Sequence, residues 1–524
     1  MIDRAERFPW GDDDTPVGAL LARRARTDGD AVYCRAGERR CTVGDIEAAA
    51  NRLAHALAAR GIGAGDRVAV MLDHHPDHVA VFFALAKLGA CQVPTNIHLR
   101  GAGLEHLLRN SETRALVAES RLAETLRPAL DAIDAPPAVI WRGEAGSDAL
   151  EALLGHPDAS PIATQVDPDA VVMILYTSGT TGLPKGVLLT DRMLRVSACA
   201  AGRIAAAGDG DVFHMWEPIY HIGGSEVLIL AVQRRICLVM VERFSVSRFW
   251  QEVRDHGVTQ LHFLGGVLAL LLKAAPAADD RAHGIRLAWG GGCPVAIWRA
   301  FEQRFGIPIR EGYGMTECAS FATQNISGKL GAVGQALPWF DVRVADAQGT
   351  TLEAGARGEI LVRGRLPGLI TPGYWRNPEA TAALLRDGWL HTGDLGWIDA
   401  EGDLFYCGRL KDSIRRRGEN IAALEVERVL DAHPDIEESA VVGVPDELAD
   451  EAIKAFIRVR PGCSLEPLDV IRWCETRLAY FQIPRFICFV DAFPKTPSER
   501  ISKERLPKTA EGWDLQRAGY VPGR

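Results

Sequence analysis

Tyr176-Thr177-Ser178-Gly179-Thr180-Thr181-Gly182-Leu183-Pro184-Lys185-Gly186 is the stretch on which the fold turns. An apolar run of strand length, Val171 to Leu175, leads into it, and a second, Val187 to Leu189, follows. Between them stand the hydroxyls of Thr177, Ser178, Thr180 and Thr181, several glycines, and Lys185. Such a loop can turn N–H groups and hydroxyls onto a polyphosphate, because glycine lets the backbone approach closely. The lysine adds a point charge for the outer phosphates. A Walker loop is excluded: it requires Gly-Lys followed by a hydroxyl, whereas here Lys185 precedes Gly186 and Val187 follows. A polar turn between two buried strands is the plainer reading, but a turn needs neither four hydroxyls nor a lysine.

At 524 residues the chain is too long for one core, so two or more domains are expected. A net charge of −9, with no long Lys/Arg run, argues against nucleic acid as the main partner. No apolar run approaches the length of a membrane span, and Met1 to Asp14 lacks the apolar centre of a signal peptide. The 11 cysteines are scattered without a C-x-x-C pair, which points to reduced thiols and a cytoplasmic location.

From Thr42 to Glu119 helical and strand patterns alternate: helices over Ile46–Arg60 and Pro76–Leu88, strands over Arg67–Leu72, Ala90–Pro94 and Ala115–Ala118. That alternation predicts an α/β architecture with largely parallel sheets. It resumes after the loop, with a helix near Met193–Ala207 and strands near Ile236–Val241 and Gln260–Phe263. From about Gly334 the texture becomes short, glycine-punctuated strands (Val342–Val344, Gly358–Arg363, Leu404–Cys407), as in a small β subdomain. Beyond Gly408–Asp412 follows a compact α+β module: helix Ala423–Ala432, strands Ser439–Val444 and Lys454–Val459, helix Leu468–Arg477, strand Phe486–Val490.

Further motifs follow in fixed order: Pro218-Ile219-Tyr220-His221-Ile222-Gly223-Gly224, Gly290-Gly291-Gly292-Cys293-Pro294, Gly312-Tyr313-Gly314-Met315-Thr316-Glu317, Gly358 to Gly364, Thr392-Gly393-Asp394, Gly408-Arg409-Leu410-Lys411-Asp412, and Gly418-Glu419-Asn420-Ile421. With the opening loop, the series resembles the ANL superfamily of adenylate-forming enzymes, in its acyl-CoA ligase branch, from about Thr42 to Leu506. The resemblance implies an α/β multidomain fold. Residues 1–410 would form a large N-terminal domain of two α/β sheet subdomains and a small β-barrel-like subdomain. Residues 411–524 would form a small mobile α+β domain, hinged at Lys411, with the nucleotide cleft between the two. It also implies two half-reactions. A carboxylate attacks the α-phosphate of ATP to give an acyl-adenylate; then the thiol of coenzyme A displaces AMP.

Roles carry over by position. Thr177, Ser178, Gly179, Thr180, Thr181 and Lys185 would cradle the phosphates. Gly291, Gly292 and Tyr313 would lie around the adenine, with the Tyr313 ring stacked on it, and Cys293, Gly312, Gly314 and Met315 would join the nucleotide site. Thr316 would bond the α-phosphate, and Glu317 would hold Mg²⁺ when adenylation occurs. Asp394, helped by Arg409, would accept the ribose hydroxyls. His221 would gate the acyl carboxylate, and Gly418, Glu419 and Asn420 would line the coenzyme A tunnel. The acyl pocket candidates, Trp216, Tyr220, His221, Gly265, Gly266, Trp289, Cys318 and Ala319, include no carboxylate for an amine. They suit a bulky, largely apolar acid.

One position departs from the pattern. Family members carry a lysine near the C-terminus in a stretch like Leu-Pro-Lys-Thr-x-x-Gly-Lys-Ile. Here the stretch is Phe493-Pro494-Lys495-Thr496-Pro497-Ser498-Glu499-Arg500-Ile501, so Arg500 replaces the lysine and Glu499 the glycine. Arginine keeps the charge, but its planar fork differs from a compact ammonium. The departure predicts an impaired adenylation half and an intact thioester-forming half, with the adenylate coming from a separate adenylating enzyme. The alternatives are a complete ligase in which Arg500 or Lys503 substitutes, and a non-catalytic nucleotide-binding homologue.

Overall fold

The computed structural model describes residues 14–177, 184–264, 266–416, 419–446, 451–478, 482–495 and 500–520. Two compact units divide the chain: one holds residues 1–293, 297–342 and 362–390, the other residues 294–296, 343–361 and 391–524.

Two sheets organise the first unit. The six-stranded sheet runs Ala138–Arg142, Ala115–Glu119, Arg67–Met71, Cys91–Pro94, Val171–Thr177, Lys185–Thr190. All its pairings are parallel except the last, where the strand after the phosphate-loop candidate turns back with Lys185 opposite Thr177. The seven-stranded sheet runs Ile309–Glu311, Leu287–Gly291, Gln260–Leu264, Val212–Met215, Cys237–Met240, Val32–Ala36, Arg39–Thr42, again parallel apart from the terminal hairpin. The largely parallel α/β expectation therefore holds.

Local chemistry sets the helix ends. Helix Val43–Ala59 starts at a capping box: the Asp45 N–H donates to Thr42 Oγ1 at 3.1 Å and the Thr42 N–H to Asp45 Oδ2 at 2.9 Å. Helix Pro76–Leu88 opens with proline in its first turn and closes on Gly89 at φ +65°. Helix Val295–Phe305 places Trp298, Phe301 and Phe305 on one face, all essentially buried. Each such ring contributes about 1.5–3 kcal/mol by leaving water.

Strand Trp389–Ile398 pairs antiparallel with Leu404–Arg409 within a five-stranded sheet that also includes Phe340–Ala345 and Gly358–Gly364. Further along, Ile436–Pro445, Glu451–Val459, Phe486–Phe489 and Trp513–Asp514 form a four-stranded sheet. Its core is built from Ile414, Val426, Leu430, Val441, Ile453, Ile457, Ile471 and Ile487 among others, with helices Ala423–Asp431 and Pro467–Glu475 supplying part of it. The architecture is a large N-terminal α/β domain with a smaller C-terminal domain. Among the described residues, no helix is long and apolar enough to cross a membrane.

Candidate functional site

Parallel strands present their C-terminal ends as a common edge, where ligands of such sheets bind. The candidate motifs lie there. Strand Val212–Met215 leads into Trp216, Tyr220 and His221; Gln260–Leu264 leads toward Gly266; Leu287–Gly291 leads to Gly292 and Cys293; Ile309–Glu311 leads to Gly312 and Tyr313. In the other sheet, Val171–Thr177 leads to the candidate phosphate loop. Ser178, Gly179, Thr180, Thr181, Gly265 and Gly418 lie outside the described residues.

On the phosphate side, Lys185 Nζ sits 5.1 Å from the centre of the Tyr374 ring. The Tyr374 hydroxyl donates to Glu317 Oε1 at 2.8 Å. The Thr371 N–H donates to the Glu317 carbonyl at 2.8 Å, and the Thr371 hydroxyl to the Leu188 carbonyl at 2.7 Å. Segment 371–375 thus ties the lysine strand to the buried Glu317. Thr316 and Glu317 share a short turn, after which Ala319 and Ser320 stand at φ +56° and +76°. Two successive non-glycine residues in the left-handed region cost about 1–3 kcal/mol each, strain that is typical of ligand sites.

On the adenine side, the Gly312 N–H donates to the Gly290 carbonyl at 3.0 Å, joining the glycine motif to the tyrosine motif. The Cys293 N–H donates to Glu311 Oε1 at 2.5 Å. Burial pushes the Cys293 thiol up, and the Glu311 and Glu302 carboxylates add to this. Gly314 must be glycine, since a Cβ there would collide with the Ser320 carbonyl. Tyr313 is buried, its backbone paired with Ala322 and Thr323.

On the acyl side, His221 caps helix Ile222–Gln233, with its ring 4.9 Å from that of Tyr220. Burial pushes the Tyr220 hydroxyl up to about 12. Trp216 donates through Nε1 to the His262 carbonyl at 2.9 Å. Trp289 and His262 are register partners on adjacent strands, so their rings stack at 4.1 Å and 11°. Cys318 and Ala319 are fully buried, while Gly266 is exposed. His262 Nδ1 lies 2.6 Å from Glu217 Oε2, and both residues are buried.

In the second unit, Asp394 and Arg409 are antiparallel partners, and Arg409 Nε lies 2.8 Å from Asp394 Oδ1. Thr392 accepts the Asp394 N–H at 3.1 Å and donates to the Ile360 carbonyl at 2.7 Å. Gly393, at φ +67°, donates its N–H to Glu359 at 3.0 Å. Burial first, then Asp394, raises the Tyr406 phenol, while the Arg409 and Arg500 charges pull it down. Lys411 pairs with Glu504 at 2.9 Å. Lys503 pairs with Glu427 at 2.7 Å, and Glu427 also accepts the Val441 N–H at 2.6 Å. Burial raises the Glu427 carboxyl, and Lys503 opposes that rise. Glu419 and Asn420 are strand residues paired with Arg416 and Arg415.

The family description "AMP-binding enzyme" matches residues 21–375, and "AMP-binding enzyme C-terminal domain" matches residues 425–500. The chain is an AMP-binding enzyme. It is 32% identical over 470 residues to a crotonobetaine/carnitine–CoA ligase of Salmonella arizonae, covering 87% of this chain and 91% of that one. A crotonobetaine/carnitine–CoA ligase of Salmonella paratyphi A is 33% identical over 473 residues, with the same coverage. Among solved structures, o-succinylbenzoate CoA synthetase from Bacillus subtilis, in complex with its acyl-adenylate intermediate, superposes with a TM-score of 0.84. It is 27% identical and covers 95% of this chain and 99% of its own. ATP-bound MatB from Rhodopseudomonas palustris gives a TM-score of 0.85 at 27% identity, over 93% and 97%. The protein is thus an ANL-superfamily enzyme of acyl-CoA ligase type.

Enzymes of this family use coenzyme A, ATP and Mg²⁺. Thr316 and Glu317 offer oxygen donors, the ligand type that Mg²⁺ takes, so the residues of this AMP-binding enzyme fit the ion. Tyr374 went unread in the sequence; its signal is an aromatic hydroxyl in the glycine-containing stretch Pro372-Gly373-Tyr374 that follows the β strand Gly358–Gly364. Glu217, beside Trp216, is brought against His262 by a sheet order that places Gln260–Leu264 next to Val212–Met215.

Proposed function

We propose that this enzyme forms an acyl-CoA thioester from an acyl-adenylate and coenzyme A, with release of AMP, and that its ATP-dependent adenylation half is slow. The observation that carries this reading is Arg500 in an unambiguous frame, Phe493 to Ile501, where the family has lysine. Lys503 is a poor stand-in because it is engaged with the buried Glu427, and separating a buried ion pair costs about 3–5 kcal/mol. The remaining parts are kept: Asp394 with Arg409, Glu317 with Tyr374, and Lys185 at the end of its loop. In this reading His221 and Tyr220 flank a bulky carboxylic acid, and the adenylate comes from a separate adenylating enzyme. A complete ligase is the second reading. It is favoured by the relatives, which are CoA ligases by name, and by the positive charge that Arg500 retains.

A paired assay separates the two: pyrophosphate release from acid plus ATP, and thioester formation from chemically made acyl-adenylate plus coenzyme A. The proposal expects the second to be efficient and the first slow. Efficient pyrophosphate release by the natural sequence would establish the complete ligase.

Residues 411–524 would act as the moving part in this proposal, with Lys411 as pivot. Lys411→Pro fixes φ where a hinge must change it. Thioester formation is expected to fall at least about tenfold, the loss typical of a hindered conformational step, with adenylate binding retained. Unchanged thioester formation would remove Lys411 from the role.

A further inference from the structure

Lys185 and Glu317 belong to segments far apart in the chain, and both meet the same tyrosine. The Lys185 ammonium lies 5.1 Å from the centre of the Tyr374 ring, and the Tyr374 hydroxyl donates to Glu317 Oε1 at 2.8 Å. A cation at the ring and a carboxylate at the hydroxyl use different parts of one side chain, so a single residue engages both charges. Glu317 is buried, whereas Lys185 and Tyr374 are half-buried.

The backbone fixes where Tyr374 stands. Lys185–Thr190 is the terminal strand of the six-stranded sheet. Residues 373–375 lie along its outer edge: the Leu188 N–H donates to the Gly373 carbonyl at 3.0 Å, and the Trp375 N–H to the Gly186 carbonyl at 2.7 Å. Tyr374 is thereby the bridge partner of Val187. Residues two apart on a strand share a face, which puts Lys185 beside the tyrosine ring. The Tyr374 N–H donates to Thr381 Oγ1 at 2.9 Å, and the Trp375 indole N–H to the Asn110 carbonyl at 2.8 Å. At the other end the Thr371 N–H holds the Glu317 carbonyl at 2.8 Å. Gly373 stands at φ +142°, and a Cβ there would strike the Thr381 side chain. This attachment is made by backbone groups, Thr371, Thr381 and the Trp375 indole, while the Tyr374 hydroxyl is directed at Glu317.

An ammonium and a carboxylate on neighbouring segments attract each other, and a direct pair would occupy the groups that a metal-bound polyphosphate needs. Tyr374 offers each of them a neutral partner instead. Residues that hydrogen-bond a ligating carboxylate from outside set its orientation toward the metal. We propose that Tyr374 is a positioning residue: its hydroxyl aims the Glu317 carboxylate at the Mg²⁺ of a metal–nucleoside triphosphate, and its ring holds the Lys185 ammonium ready for the phosphates. This rests on the places that the acyl-CoA ligase reading gives to Lys185 and Glu317, and adds the residue that sets them.

The test uses the full chain and the non-hydrolysable β,γ-imido analogue of ATP, titrated by calorimetry with Mg²⁺ and in EDTA. Wild type is expected to bind the analogue more tightly as Mg²⁺ rises. Tyr374→Phe keeps the ring and loses the hydroxyl. It should raise the Mg²⁺ concentration needed for half of that gain about 10–100-fold, the usual effect of removing an outer partner of a metal ligand. Binding of AMP in EDTA should change less than about twofold, since no metal is engaged, and the thermal midpoint should stay close to wild type. Tyr374→Leu, which also removes the ring, should in addition weaken the analogue in EDTA about threefold or more. In a Glu317→Gln background, Tyr374→Phe should have no further effect on the Mg²⁺ requirement. The proposal is overturned if Tyr374→Phe keeps the wild-type Mg²⁺ requirement, if it weakens AMP and the metal-bound analogue alike, or if it unfolds, which would make the hydroxyl a structural group. It is equally overturned if Mg²⁺ has no effect on wild type, or if Tyr374→Leu binds the analogue in EDTA as wild type does. Thioester formation from ready-made acyl-adenylate by the natural sequence reports the ligase reading, so either can fail alone.

Discussion

Arg500→Lys combined with Glu499→Gly raises pyrophosphate release from acid plus ATP by about 10²–10³-fold, the usual worth of a preorganised donor aimed at developing transition-state charge. The change returns a compact ammonium that can reach between an attacking carboxylate and the α-phosphate, where a planar guanidinium fits poorly. It also removes a carboxylate whose charge repels the polyphosphate. Lys503 does not mask the effect, because Glu427 holds it at 2.7 Å. Thioester formation from ready-made adenylate should change less than about twofold, as expected of a substitution outside that step's machinery. The two rates are measured on the same preparation. If the double variant gains nothing while the natural sequence already adenylates quickly, Arg500 is a working substitute and the enzyme is a complete ligase.

Where local chemistry was decisive, the sequence was legible. Helix Pro76–Leu88 was read to its ends because proline and Gly89 punctuate it, and strand Gln260–Leu264 because its apolar run is short and bounded. Strand Trp389–Ile398, which carries Asp394, was not read as a strand. Its burial alternates, but beyond Leu390 the inward positions are Thr392, Asp394 and Gly396, so no apolar alternation marks it as a strand. The acyl site was legible only in part. Trp289, a candidate for the acyl pocket, is a buried residue that strand register stacks on His262. The contact of Glu217 with His262 was missed because nothing local marks it. Their meeting depends on strand order. Non-local pairing of this kind has no short-range signature in a single sequence.

Asp394→Ala weakens binding of acyl-adenylate or AMP by about 10²–10⁴-fold, corresponding to two hydrogen bonds to a charged acceptor at about 1.5–3 kcal/mol each. The proposal gives Asp394 both ribose hydroxyls, and the structure supplies what such a role needs. Its carboxylate is buried, its backbone is fixed by Thr392, and the guanidinium of its strand partner Arg409 lies 2.8 Å from it. A carboxylate so held needs little rearrangement to accept two donors. The fold should survive the change, since the ladder bonds of Trp389–Ile398 use backbone groups and Arg409, which is partly exposed, can turn to solvent. Circular dichroism and the thermal midpoint should therefore stay close to wild type while the calorimetric signal for adenylate disappears. Asp394→Asn, which keeps one acceptor oxygen but loses the charge, should fall between the two. Wild-type affinity in Asp394→Ala would show that the ribose is held elsewhere, and the assignment of the Thr392-Gly393-Asp394 motif would have to be withdrawn. A loss of binding accompanied by a collapsed midpoint would instead make Asp394 a structural partner of Arg409, a role that Asp394→Asn and Arg409→Ala would then share.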